Sequence, residues 1–270
     1  MIPYYGLQAP PRGGHYESWF VRANHPHKPL AIWIRYTLFR ARDQRPALGE
    51  VWAVWSDGAR QQTRAFKEEF PLEQCRFSTS LMQVDAGDNH LQPGALQGLL
   101  QEGNDQLSWN LHYDDGEPPL LFLPESFYKR PLPKAKSLVS RPHIRLSGTL
   151  TLNGETFVLD RWPGSENHNW GSQHTDRYAW GQVVGFDNAP DAFLECATAQ
   201  VKLGPLYSPQ LSIAALRLDG ETLLFNSLSR ALRANADYRP FQWTLQTGNG
   251  DTRLNISMAT MADRVAALTY

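Results

Sequence analysis

Leu146-Ser147-Gly148-Thr149-Leu150-Thr151-Leu152-Asn153-Gly154-Glu155-Thr156-Phe157-Val158-Leu159 decides the fold class. Leucine recurs at every second position up to Asn153-Gly154, and a β-branched and aromatic run follows it. Asn-Gly between two such runs marks a hairpin, because both residues accept positive φ at low cost. The same pattern stands upstream. Ala31-Ile32-Trp33-Ile34-Arg35-Tyr36-Thr37-Leu38-Phe39 and Glu50-Val51-Trp52-Ala53-Val54-Trp55 read as strands, and Asp57-Gly58 turns the chain after them. Asp115-Gly116, Asp219-Gly220 and Gly248-Asn249-Gly250-Asp251 supply further turns. Helical signals are few. Leu224, Leu228, Ala231 and Leu232 fit a period of 3.6, and the same segment reads equally as a strand followed by a loop. Leu96 to Gln101 is a single helical turn or a piece of strand. Strands do not alternate with long amphipathic helices, and no glycine-rich phosphate loop is present, so nucleotide-binding α/β folds are disfavoured. The expected class is all-β.

Length and composition narrow this further. The chain has 270 residues, enough for one or two domains. Residues 124–142 carry Pro124, Pro131, Pro133 and Pro142 among Lys129, Arg130, Lys134, Lys136 and Arg141, which reads as a solvated, extended linker. Trp109-Asn110-Leu111 before Gly116 is echoed by Trp243-Thr244-Leu245 before Gly250. The expected organisation is a domain over 1–132, a linker at 133–142 and a second domain over 143–270, each a small antiparallel barrel or open sandwich. Formal charge is −1, which does not suit a general nucleic-acid binder. No run of about 18 apolar residues suggests a membrane helix. The start, Met1-Ile2-Pro3-Tyr4-Tyr5-Gly6, lacks the layout of a signal peptide, and Cys75 and Cys196 form no CxxC, so a cytoplasmic setting is expected.

The aromatic content is high, with 9 Trp, 10 Tyr and 12 Phe. It is concentrated in Arg161 to Gln182, where Trp162, Trp170, Tyr178 and Trp180 stand among Glu166, His168 and His174. If Ser165 to Trp170 is extended, Glu166, His168 and Trp170 share one face and Asn167 and Asn169 the other. Tyr178, Trp180 and Gln182 share a face of the return strand. Such a wall suits a hydrophobic ligand with an acid–base pair beside it. Packing aromatics with a surface Glu–His pair are the plain alternative. Glu166, His168 and His174 match no specific ligand spacing, so no metal is expected. Near the N-terminus, His15, Glu17, Trp19 and Val21 share a strand face. A carboxylate beside Trp needs a partner if that face is buried, for example an arginine. Asn24-His25-Pro26-His27-Lys28-Pro29 is a loop.

Glu17-Ser18-Trp19-Phe20, followed far downstream by Asn167-His168-Asn169-Trp170-Gly171 and by Tyr178-Ala179-Trp180-Gly181-Gln182, resembles the lipocalin-like superfamily of tocopherol cyclase and carotenoid 1,2-hydratase. The resemblance implies two consecutive lipocalin-like barrels and an apolar cavity for an isoprenoid, polyene or similar molecule. It also implies cofactor-independent, acid–base assisted cyclisation or hydration, a lyase or isomerase activity. Glu17, Glu166 and His168 are then the candidate catalytic residues, and Trp19, Asn169, Trp170, Tyr178, Trp180 and Gln182 the candidate substrate contacts. One departure stands out. The family carries an acid directly before the His/Lys-Asn-Trp element, where this chain has Asn167. An amide delivers no proton as a carboxylic acid does, so the role falls to Glu166, His168 or Glu17. A non-catalytic carrier of a lipophilic ligand and a purely structural sandwich are the other readings.

Overall fold

A computed structural model describes residues 13–43, 45–114, 116–130 and 132–265. The Met1 to Gly6 start, Asp115 of the Asp115-Gly116 turn and Pro131 lie outside the described residues. The molecule is all-β, and its helices are short: α1 (Glu125–Tyr128) and α2 (Leu228–Arg233), with 3-10 turns at Leu72–Gln74 and Ala262–Arg264. The chain divides into two compact units. One holds the described residues within Met1–Pro119 and Ala135–Gln173, the other those within Leu120–Lys134 and His174–Tyr270.

The first unit is an eleven-stranded antiparallel sheet. Its strands are β1 (His15–Asn24), β2 (Leu30–Arg40), β3 (Leu48–Asp57), β4 (Gln62–Pro71), β5 (Cys75–Phe77), β6 (Val84–Ala86), β7 (Asn89–Gln92), β8 (Ala95–Glu102), β9 (Asp105–Tyr113), β10 (Ala135–Leu152) and β11 (Glu155–Gly171). The order is β4-β3-β2-β1-β11-β10-β9-β8-β7-β6-β5. Two meanders, β1–β4 and β5–β9, are therefore joined through the long hairpin that turns at Asn153-Gly154, as the opening stretch predicts. Asp57-Gly58 likewise turns β3 into β4. Leu96 to Gln101 lies in a strand, β8.

The sheet curls into a nearly closed barrel. Trp19 of β1 stacks on Phe77 of β5, with ring centroids 5.4 Å apart. The Tyr36 hydroxyl of β2 donates to the His90 carbonyl of β7 at 3.0 Å. Gly49 on β3 has no room for a side chain, since a Cβ there would meet the Cys75 Sγ. The interior is filled by Trp19, Ile34, Tyr36, Trp55, Phe66, Leu100, Leu107 and Trp162, all buried in one apolar cluster. Each large side chain moved out of water in this way contributes about 1.5–3 kcal/mol. His25 lies in a loop, as expected, and its Nδ1 accepts the backbone N–H groups of His27 and Lys28.

The second unit contains β12 (Arg177–Phe186), β13 (Ala189–Gln200), β14 (Lys202–Leu203), β15 (Leu206–Tyr207), β16 (Leu211–Leu218), β17 (Glu221–Phe225), β18 (Asn235–Arg239), β19 (Gln242–Asn249) and β20 (Thr252–Ala259). A four-stranded sheet, β12-β13-β16-β17, and a three-stranded one, β18-β19-β20, enclose Leu194, Cys196, Ala214, Phe225, Trp243, Leu245 and Ile256. Asp219-Gly220 and Asn249-Gly250 make the turns the sequence assigns them. The ambiguous segment after Leu224 resolves as the end of β17 followed by the six-residue α2.

The expected linker at 133–142 does not coincide with this division. Residues 135–142 begin β10, and the hairpin of β10 and β11 completes the first unit's sheet between β1 and β9. The proline-rich stretch is accommodated because the β10–β11 register slips between Val139 and Arg141 and again between Arg141 and Ile144. Proline, which has no N–H to give a ladder, is tolerated at such irregular positions. Among the described residues, no helix is long and apolar enough to cross a membrane.

Candidate functional site

The β1–β11 register builds the site from two alternating strands. Glu17 lies opposite Trp170, Trp19 opposite His168 and Val21 opposite Glu166, so all six occupy the inner face of the barrel. The structure thus brings together Glu17, Trp19, Glu166, His168 and Trp170 of the sequence candidates. Asn167 and Asn169 take the opposite face. There Asn167 Nδ2 donates to Ser165 Oγ at 3.0 Å.

Glu17 and His168 are both fully buried, and His168 Nε2 lies 2.9 Å from Glu17 Oε1. His15 Nε2 stands 3.4 Å from Glu17 Oε2. Two partners of Glu17 are therefore histidines. Arg35 on β2 donates to Ser18 Oγ, from Nη2 at 2.8 Å. Ser18 neighbours Glu17 in the chain and therefore points to the other face. The His168 imidazole is stacked between Trp170, with centroids 4.5 Å apart, and Trp19, at 5.5 Å. Burial holds its pKa below the ordinary histidine value, although Glu17 pulls it back up. A neutral ring donating from Nε2–H to Glu17 fits this geometry.

Glu166, two residues back on the same face, has a different environment. The Tyr113 hydroxyl donates to its Oε2 at 2.5 Å, and Arg141 Nε lies 3.6 Å from the same oxygen. Desolvation raises the Glu166 carboxyl above the usual range, and the Tyr113 bond and the Arg141 charge only partly oppose the rise. Glu166 is 1% exposed, yet it forms part of the wall of a cleft of about 470 Å³. Leu81, Met82, Pro118, Leu138, Ser140 and Arg141 also line this cleft. Ser80 and Glu117 line it as well, so apolar side chains stand there beside two carboxyls, a guanidinium and two hydroxyls. Trp19 and Trp170 do not line it; they pack on His168.

Tyr178, Trp180 and Gln182 belong to the second unit, on β12. Trp180 Nε1 donates to Glu195 Oε1 at 3.1 Å, and Gln182 Nε2 donates to Glu195 Oε2 at 3.0 Å. Glu195 is 1% exposed. Tyr178 is exposed. Among the described residues, no three His, Cys, Asp or Glu side chains gather as a metal site.

Sequence reasoning missed Tyr113, Ser140, Arg141 and Glu195. Tyr113 ends the alternating run Leu107, Trp109, Leu111, Tyr113, whose buried members all face inward, so its orientation was readable. Arg141 was hidden in a stretch whose composition reads as linker. Glu195 sits within the apolar Ala192-Phe193-Leu194-Glu195-Cys196, where a lone carboxylate signals a partnered buried charge.

No family model matches the chain. It is 23% identical over 265 residues to the uncharacterized protein Rv0493c of Mycobacterium tuberculosis strain H37Rv, covering 95% of this chain and 75% of that one. The uncharacterized protein MT0513 of strain CDC 1551 matches equally. Among solved structures, the chain is similar to a provisional AttH protein of Nitrosomonas europaea, with a TM-score of 0.60 and 19% identity over 87% of this chain and 78% of that one. It is also similar to kievitone hydratase of Nectria haematococca, with a TM-score of 0.55 and 12% identity over 87% and 73% of the two chains. At these identities the likeness establishes a shared fold, and the site chemistry rests on the side chains above.

Proposed function

We propose that the chain binds a hydrophobic small molecule in the cleft of its first unit and catalyses a cofactor-independent, acid–base assisted hydration or cyclisation, with Glu166 as the acid. The observation that carries this reading is the placement of Glu166. It is a nearly inaccessible carboxyl with a raised pKa in the wall of a cleft that also presents Leu81, Met82 and Leu138. A carboxyl that keeps its proton above the usual carboxylate range is suited to general acid catalysis. Tyr113 and Arg141 hold it in one orientation. The fold shared with a hydratase supports the same reaction class.

Glu17 and His168 act as positioning residues in this reading: His168 stands two residues from Glu166 on β11, bonded to Glu17 and stacked between Trp19 and Trp170. A part in ligand binding for Asn169, and separately for Tyr178, Trp180 and Gln182 in the second unit, is a further proposal that does not involve this cleft. Substitution of each to alanine, with binding measured directly, tests them.

The central experiment compares wild type with Glu166→Gln on a panel of prenylated phenols, polyenes and quinones. Product is sought by mass spectrometry as gain of one water or as an isomer. Glu166→Gln is expected to reduce turnover about 10²–10⁴-fold while binding persists. Binding in both proteins with turnover in neither would favour the carrier reading, which the double anchoring of Glu166 also suits.

A further inference from the structure

We propose that the cleft accepts an α,β-unsaturated carbonyl compound, that Arg141 and Ser140 hold its carbonyl oxygen, and that the addition passes through an enol rather than a carbocation. This rests on the reading of Glu166 as the acid of the cleft.

The local register of β10 places these donors. Leu138 pairs with His168 on the inner face, and Val139 with Asn167 on the outer. The next matched pair is Arg141 with Glu166, so Ser140 is an additional residue in a bulge. By simple alternation Arg141 would point outward. The bulge re-aims it, as bulges beside sites commonly do. Ser140 and Arg141 thereby both line the cleft beside Glu166.

The donors of the site select the chemistry. The Arg141 guanidinium presents planar, charged donors, and its Nε lies 3.6 Å from Glu166 Oε2. Protonation of a plain alkene by Glu166 would leave a carbocation and a new carboxylate beside the guanidinium, with Glu117 also in the lining. A carbocation is best held by aromatic faces, and no aromatic side chain is among the described residues lining the cleft. The guanidinium and the Ser140 hydroxyl are instead donors suited to an oxygen. Ser140 Oγ supplies an independent sign of a ligand group. It is enclosed within a residue only 5% exposed, and it has no hydrogen-bond partner among the described residues. A buried hydroxyl without a partner is costly, and a carbonyl oxygen in the cleft would satisfy it.

The step balances without an oxidant or a reductant. An oxygen of water, or of a hydroxyl on the same molecule, bonds to the β-carbon. The C=C π pair shifts to join the α-carbon to the carbonyl carbon, and the carbonyl oxygen takes the proton of Glu166. The nucleophile's proton then passes to the Glu166 carboxylate. Tautomerisation of the enol moves its oxygen-bound proton to the α-carbon, so that H and OR have added across the double bond.

Chalcone and trans-stilbene test this, because both carry two phenyl rings and a double bond and only chalcone has a carbonyl. The full chain is expected to bind chalcone about tenfold tighter by equilibrium dialysis, the effect of a charge-assisted hydrogen bond. Arg141→Met and Ser140→Ala should each narrow that ratio, and Arg141→Lys should largely keep it. Closure of 2′-hydroxychalcone to its flavanone should be accelerated by wild type and not by Glu166→Gln. Circular dichroism identifies any variant that fails to fold, and Ser140→Ala and Arg141→Lys then carry the test. Equal or tighter binding of stilbene, abolished by the cleft-filling Leu138→Trp, would overturn the carbonyl proposal and leave the cleft reading intact. Failure of both probes to bind, or binding untouched by Leu138→Trp, would overturn the two together.

Discussion

Glu166 and His168 stand two residues apart on one face of β11, and burial moves their pKa values in opposite directions. In each case the uncharged form is favoured. For His168 the folded pKa lies below its ordinary 6.5, so the unfolded chain binds more protons below that pH. Stability is therefore lost as pH falls from 6.5 towards the lowered folded value. For Glu166 the sign reverses: its contribution is present below the ordinary 4.5 and is lost as pH rises through the raised folded value. Urea titrations between about pH 7 and pH 5 should show a smaller acid-side loss of stability in His168→Gln than in wild type. An identical slope in the two proteins would count against a neutral buried ring. Tyr113→Phe removes a bond that lowers the Glu166 pKa, so the alkaline limb of the rate profile should move to higher pH. The same change should cost about 1–3 kcal/mol of stability by stripping a buried carboxyl of a donor. The inward face shared by Glu166, His168 and Trp170 was legible from alternation alone. The partners of Glu17 were not, because His168 is distant in sequence and meets it only across the β1–β11 ladder.

At the scale of elements, the long hairpin of β10 and β11 both completes the barrel and carries the site. Its turn is written in Asn153-Gly154, and its regular half in the leucine alternation before it. Its irregular half was hidden, because Pro142 with Lys136 and Arg141 resembles a solvated linker in composition. Gly148 marks a further register shift. Its φ is +130°, and a Cβ there would come within 2.2 Å of the Asn110 carbonyl on β9. Gly148→Ala should therefore destabilise the first unit by at least about 1–3 kcal/mol, read as a lowered midpoint in thermal unfolding. An unchanged midpoint would show that β9 and β10 yield locally at little cost. Gly181 on β12 is a milder case, since a Cβ there would meet the flexible end of Met258.

For the whole molecule, the first unit is discontinuous in sequence, with 120–134 assigned to the second. A fragment of residues 1–132 lacks β10 and β11, which leaves β1 and β9 without partners between them. It should not give a native-like tryptophan signal in near-ultraviolet circular dichroism, whereas a fragment of residues 1–173 retains all the strands of the large sheet and should. A folded 1–132 fragment would contradict the topology. Local pattern determined the all-β class, the hairpin turns and the face on which each candidate side chain lies, because alternation and turn chemistry act over a few residues. Only the tertiary structure decided that β10 and β11 close the first sheet, that Trp180 and Gln182 gather on Glu195 in the other unit, and that Arg141 faces Glu166. Those arrangements depend on strand order and on a bulge, and neither leaves a local mark in composition.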